Sequence, residues 1–323
     1  MPAAIKIIRR YWLSFFLVIG LVFAGVYFRR EFGRVGHPLH LSAGSLVSAL
    51  VLQAAFWLLT SVLWKRIVAE VSASRISLRE SFFQLCLVSI GKYLPGKVWG
   101  MVARASHMKR RHGIAQEKII TATYLEQFFL LCSAALLVAA LLVGINGTVW
   151  AWALAGLATA GAIAGQRYNN IIVALISRLY VWVGRKDKQH VVVGSLAPRT
   201  YYFLLLSYVV VWVLLGLVFS CIYFTFFSVP VTYGAIPSMM LANTIGITVG
   251  FLAIFAPGGI GVREAVSSGL LASQMPFTDA ILLSLLFRLW LIITEISLGL
   301  VAFWVSGRDR AGAARQADSA GDK

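Results

Sequence analysis

Apolar residues in this chain gather into runs too long for the core of a soluble domain, with the polar residues collected between them. Runs near 11–28, 41–63, 121–143, 149–166, 200–226 and 279–305 approach or exceed the ~20 residues that carry an α-helix across ~30 Å of hydrocarbon. No stretch alternates with the period of two that a membrane barrel requires. The pattern predicts an all-α polytopic membrane protein with about six full transmembrane helices. It forms a single transmembrane domain over 1–305, followed by a polar cytoplasmic tail at 306–323. Gln53 is the one strongly polar member of the second run, and an uncharged link, Gly144-Ile145-Asn146-Gly147-Thr148, joins the third to the fourth. The fourth run is rich in Ala and Gly, which permits close helix contact, either within the chain or in a homodimer.

Two further apolar segments are interrupted. Pro95 and Gly96 divide 81–104, so that 81–93 makes only about 20 Å of helix, short of the hydrocarbon thickness. Segment 236–275 runs into Ala256-Pro257-Gly258-Gly259-Ile260-Gly261 and leaves through 262–275, again too short to span. Hydrocarbon tolerates such breaks only where protein or a polar cavity shields the freed backbone groups. Each is a broken span or a hairpin that enters and leaves on one side, and charge separates the two readings. Connectors 64–80 and 104–118, on either side of the first break, are both basic and belong on the cytoplasmic face. Neither end of 228–279 carries a basic cluster. Both segments therefore read as re-entrant hairpins of opposite orientation, the arrangement of inverted-repeat transporters whose broken helices meet near the midplane.

Composition narrows the class. Charged residues make up 13% of the chain, against roughly 25% in soluble domains. The formal net charge of +17 would point to nucleic acid in a soluble protein. Here the bases lie in loops between spans, where they orient the chain and meet anionic headgroups, and no nucleic-acid partner is expected. Connector 64–80 reads as a short amphipathic helix on the membrane, and the middle of 167–199 as an interfacial segment. Six spans and two hairpins put both termini in the cytoplasm beside their bases, with Arg29, Arg30 and Arg34 falling outside against the rule. Cys86, Cys132 and Cys221 sit in apolar surroundings without metal-ligand spacing and read as packing residues.

At the breaks the residues carry a resemblance. Gly91, Leu94, Pro95, Gly96, Lys97, Gly100 and Arg104 in the first, and Pro257-Gly258-Gly259-Ile260-Gly261-Val262-Arg263-Glu264-Ala265 in the second, resemble the two signatures of the lysylphosphatidylglycerol synthase transmembrane-region family. The second signature is the more specific, and the resemblance covers about 10–305. It implies an integral inner-membrane protein of bacteria or archaea that moves or handles polar lipids. In two-part members the membrane region flips aminoacylated phosphatidylglycerol made by a soluble synthase domain, whereas shorter relatives are associated with envelope glycan or glycolipid assembly. The implied partners are an anionic lipid or a lipid-linked saccharide, together with envelope-assembly enzymes. Only 306–323 follows the last run, so lipid aminoacylation itself is not expected.

The charges at the breaks are the candidate substrate-binding residues: Lys92, Lys97, Arg104, Arg263 and Glu264. Arg offers phosphate a planar fork of donors and Lys a point charge, and freed amides after Gly96 add positive potential. Arg104 fits either this role or snorkelling at the cytoplasmic interface. Arg263 and Glu264 form a structural pair, or Arg263 holds phosphate while Glu264 orients it. Glu126, Arg288 and Glu295 are candidates for lining the cavity, neutralising its bases or coupling to protons, with Arg288 and Glu295 seven apart on one helix face. His37, His40, His107, His112 and His190 fall in loops and read as surface residues. The stretch 256–261 lacks the ending of a nucleotide phosphate loop, so neither an ATP-driven pump nor a cofactor is expected. The leading reading is a translocase for an anionic or polyprenyl-phosphate-linked headgroup passing a basic midplane cavity. The alternatives are a membrane-bound enzyme and a non-catalytic accessory protein of envelope assembly.

Overall fold

The computed structural model describes residues 41–91, 99–168, 171, 196–227, 233–253 and 256–321. The predicted span at 11–28, Arg29, Arg30 and Arg34, Lys92 and Lys97, His37, His40 and His190, and the middle of connector 167–199 lie outside them. Everything regular among the described residues is helical. The long helices are α1 (Ala43–Ser72), α4 (Gln116–Asn146), α5 (Val149–Arg167), α6 (Pro198–Phe226) and α9 (Phe277–Gly321). Between them lie the short helices α2 (Leu78–Gly91), α3 (Trp99–His112), α7 (Ile236–Leu252) and α8 (Val262–Leu271).

The five long helices are each long and apolar enough to cross a membrane. On α5, Val149, Trp150 and Leu157 are 70% or more exposed, a surface that hydrocarbon solvates and water does not. The chain is an all-α multi-pass membrane protein. Its turns follow local chemistry. Gly147 closes α4 at φ 58°, its amide donating to the Val143 carbonyl, and Thr148 then caps α5 by accepting from the Ala151 amide.

Two predicted connectors turn out to be helix. Residues 64–80 do not form a separate amphipathic helix, because α1 continues to Ser72 and α2 begins at Leu78. Trp64, Ile67, Val68 and Val71 keep the i, i+3, i+4, i+7 spacing of one helix face, and all four are buried. Lys65 and Arg66 occupy the opposite face. Likewise α3 runs on to His112 because Ala105 and Met108 continue its buried side. At the other end of the chain α9 does not stop near 305 but stays helical to Gly321.

Charge divides the bundle end from end. The Ser42 amide donates to the Thr225 carbonyl, so the start of α1 and the end of α6 share one end with the α4–α5 link. Asp279 is the charged residue at that end among the described residues. At the opposite end lie Lys65, Arg66, Arg75, Arg79, Lys109, Arg110, Arg111, Lys118, Arg167 and Arg199.

Helices α2 and α3 form a hairpin whose open end is at the basic side. At its closed end the backbones of Gly91 and Gly100 touch, and a Cβ on Gly91 would collide with the Gly100 main chain. Each arm has 14 residues, about 21 Å of helix. Helices α7 and α8 form a second hairpin, open at the bare end. Its tip is the predicted glycine turn: Gly259, at φ 70°, lies against Gly250, whose carbonyl oxygen would be 2.9 Å from an added Cβ. Ser267 donates from Oγ to the Ala242 carbonyl, holding the two arms together.

The base of the first hairpin is tied by Glu80, which corrects the expectation that His107 is a surface loop residue. His107 lies on α3, 9% exposed, because its helix turns it inward against α2. Its Nε2 is 2.8 Å from Glu80 Oε1, with Gln84 Nε2 donating to the same oxygen at 3.1 Å. Arg111 and His112 approach the other oxygen at 3.4 and 3.6 Å. Burial pushes this carboxyl upward, but the hydrogen bonds from His107 and Gln84 and the charges of His107 and Arg111 outweigh it and hold it at about 2. A depressed carboxylate stabilises the fold above its free value of 4.5, and that contribution fades as pH falls toward 2. Glu80→Gln should cost roughly 2 kcal/mol at neutral pH. Melting curves in detergent from pH 7 to pH 2 should show the gap from wild type closing between pH 4.5 and 2. A gap that stays constant would remove Glu80 as the tie.

Candidate functional site

The apolar interior is split in two. One core gathers Trp64, Met108, Phe129 and Tyr201 toward the basic end, and the other gathers Phe219, Met239, Leu283 and Phe287 toward the bare end. Between them lies a cavity of about 260 Å³, to which every described helix except α5 contributes. The closed ends of both hairpins reach it, through Ser89 and Arg104 on one side and Thr248, Phe251 and Arg263 on the other.

Arg104 is fully buried, which rules out snorkelling: one turn into α3, its side chain points inward across the bundle. Its Nη1 donates to Glu126 Oε2 at 2.8 Å and lies 3.4 Å from Thr123 Oγ1. Its guanidinium carbon sits 3.6 Å from the centroid of the Trp64 ring, a desolvated cation–π contact. Trp64 Nε1 donates in turn to Gln84 Oε1 at 2.8 Å, so the cavity is wired to the Glu80 cluster at the hairpin base. Arg104 Nε and Nη2 find no hydrogen-bond acceptor among the described residues, and neither does Trp57 Nε1. Two lining hydroxyls, Tyr208 Oη and Thr248 Oγ1, are likewise buried without a partner. Buried polar atoms are nearly always satisfied. A cluster of unsatisfied ones, mostly donors, is chemically suited to a group rich in acceptor oxygens.

Arg263 opens α8 and lies over the Phe287 ring at 5.0 Å, while Glu295 enters from α9. The described charges of the lining are thus Arg104 and Arg263 against Glu126 and Glu295. They balance, so among the described residues the predicted basic cavity is mixed in charge. Lys92 and Lys97 lie outside those residues.

Glu264 is not the partner of Arg263. Successive helical residues point about 100° apart, so when Arg263 faces the cavity Glu264 faces α9. There it accepts from Arg288 Nη1 at 2.5 Å and from the Gly261 amide at 2.7 Å. Arg288 Nη2 reaches toward the Gly258 carbonyl at 3.4 Å. The pair fastens the glycine turn to α9 beside the cavity, and neither residue lines it. Of the predicted residues, Arg104, Glu126, Arg263 and Glu295 come together here, whereas Glu264 and Arg288 form the support behind them.

Sequence reasoning passed over Gln53, Trp57, Gln127, Tyr208 and Thr248, which also line the cavity. Gln53 carried a usable signal as the lone strongly polar residue of its run, and its Oε1 accepts from Trp290 Nε1 at 3.2 Å. Tyr208 carried none, because an aromatic residue inside an apolar run reads as core.

Comparison with curated proteins returns no match. The model of the family described as the lysylphosphatidylglycerol synthase TM region matches residues 8–299, a stretch that takes in both hairpins and every residue of the cavity. With that span covered, the chain belongs to the lysylphosphatidylglycerol synthase transmembrane-region family.

Proposed function

We propose that the protein is a lipid translocase that passes a phosphate-bearing polar headgroup across the membrane through the central cavity. The observation that carries this reading is the meeting of Arg104, with its two unpaired donors, and Arg263 in one cavity. The two arginines are supplied by half-length hairpins that open toward opposite ends of the bundle. The hairpins are re-entrant on this reading, each sheltering its broken backbone against protein. A phosphodiester would take the free edge of the Arg104 fork, with the Trp57 indole and the Tyr208 and Thr248 hydroxyls completing its hydrogen bonds. Arg263, from the opposite hairpin, would share the charge. Glu126 serves as the counter-ion that orients the Arg104 guanidinium. The substrate class is an anionic phospholipid or a polyprenyl-phosphate-linked headgroup.

The bundle's charge asymmetry supports an inner-membrane location with the basic end in the cytoplasm. Helix α9 runs toward that end and carries Arg308, Arg310 and Arg315 beyond it, while Lys6, Arg9 and Arg10 precede the first apolar run. Both termini are then cytoplasmic.

The test is headgroup movement in reconstituted vesicles holding labelled phosphatidylglycerol, polyprenyl phosphate or a polyprenyl-linked sugar. One of these should cross in a protein-dependent way. Arg263→Ala and Lys97→Ala should each slow it at least tenfold, the loss of one charge-assisted contact of about 1.5–3 kcal/mol. Folded wild-type protein that moves none of the three, or variants that move lipid at the wild-type rate, would sink the reading.

A further inference from the structure

Charge is balanced inside the cavity but not in a second recess. Where the end of α1 meets the first turn of α6, a groove of about 750 Å³ is lined by Lys65, Arg66, Arg75 and Arg199. All four side chains are exposed. Arg66 pairs with Glu70 at 2.9 Å and lies 3.5 Å from Thr200 Oγ1. Lys65, Arg75 and Arg199 form no ion pair among the described residues. Four cations thus face one recess with one acid beside it, an arrangement whose self-repulsion a bound anion relieves. The start of α6 adds to the field: Pro198 opens the helix, and no side chain caps its first amides.

We propose that this groove binds the headgroup of an anionic phospholipid, at a site separate from the central cavity. The apolar part of the lining identifies the occupant as a lipid. Val62 and Phe203, 42% and 52% exposed, lie about one turn deeper along α1 and α6, on the hydrocarbon-facing surface of two spanning helices. A phosphodiester held among the cations places its acyl chains along those two side chains. A soluble peptide or a nucleic acid would have no use for them. Charge and apolar surface together match an anionic lipid over a zwitterionic one, whose ammonium the basic lining would repel.

The test is native mass spectrometry of the purified full-length protein in detergent, titrated with phosphatidylglycerol or with phosphatidylcholine. The wild type should prefer phosphatidylglycerol. Each cation near a membrane surface is worth about a fivefold change in affinity. Lys65→Gln, Arg75→Gln and Arg199→Gln should therefore lose about fivefold singly and up to about 100-fold together, with helical content unchanged. If the combined variant fails to fold, the three single variants carry the result. Exchanging the same positions as Lys65→Arg, Arg75→Lys and Arg199→Lys should keep the preference. So should Lys109→Gln with Arg110→Gln, which removes two charges, more than any of the single variants, elsewhere on the basic end. The proposal is overturned by equal binding of the two lipids to wild type or by full binding to the triple variant. It is also overturned by an equal loss in the Lys109/Arg110 control, or by inorganic phosphate displacing the lipid. None of these substitutions touches the cavity, so a failure here leaves the translocase reading standing.

Discussion

Arg104→Ala should both abolish headgroup movement and destabilise the protein by about 3–5 kcal/mol, because it strands the Glu126 carboxylate in a buried site. The geometry leaves Glu126 little alternative: it is 5% exposed, ten residues inside α4, with Arg104 Nη1 at 2.8 Å as its ion-pair partner. The double variant Arg104→Met, Glu126→Leu separates structure from function. Replacing a buried ion pair by apolar residues of similar volume is commonly neutral or stabilising, so melting in detergent should return close to wild type. Transport in vesicles should not return, since Met offers no donors to a phosphate. Arg104→Lys should fall between, keeping a cation beside Glu126 but losing the planar fork and its stacking on Trp64. A double variant that melts like wild type and also moves lipid would leave Arg104 a purely structural residue.

The neighbours Arg263 and Glu264 should behave as opposites. Glu264→Ala removes the partner of Arg288 and the acceptor for the Gly261 amide at once, and should cost about 3–5 kcal/mol through the uncompensated Arg288. Glu264→Gln keeps an oxygen for that amide and should cost less. Arg263→Ala takes a cation out of the cavity lining together with its cation–π contact on Phe287, so its transport rate should fall. Thermal unfolding and vesicle transport measured on the same three variants distinguish the roles. Wild-type transport by Arg263→Ala, or wild-type stability of Glu264→Ala, would refute the division between a cavity residue and its support.

Much of this architecture is legible in the sequence. The runs at 149–166 and 200–226 match helices Val149–Arg167 and Pro198–Phe226 within two residues, because in lipid a helix must satisfy its own backbone and its apolar length is therefore its span. Helices outlast their apolar runs at the basic end: the run at 41–63 belongs to a helix that ends at Ser72, and the run at 121–143 to one that begins at Gln116. Hydropathy falls at the first Lys or Arg. The backbone ladder does not, and a helix continues while one of its faces still buries Trp64, Ile67, Val68 and Val71.

Pairings were the part that could not be read. Arg104 and Glu126 are 22 positions apart on different helices, and nothing in their spacing aims one at the other. Arg263 beside Glu264 invited a pair, yet helical rotation sends the first to the cavity and the second to Arg288. Length, apolar runs, breaks and the distribution of Lys and Arg thus determine the class, the short hairpins and the asymmetry of the bundle, since each depends on interactions with a uniform solvent, lipid or water. Which buried charge neutralises which, and which donors remain free for a ligand, depends on helix rotation and depth set jointly by all the packed helices. Only the tertiary structure decides that.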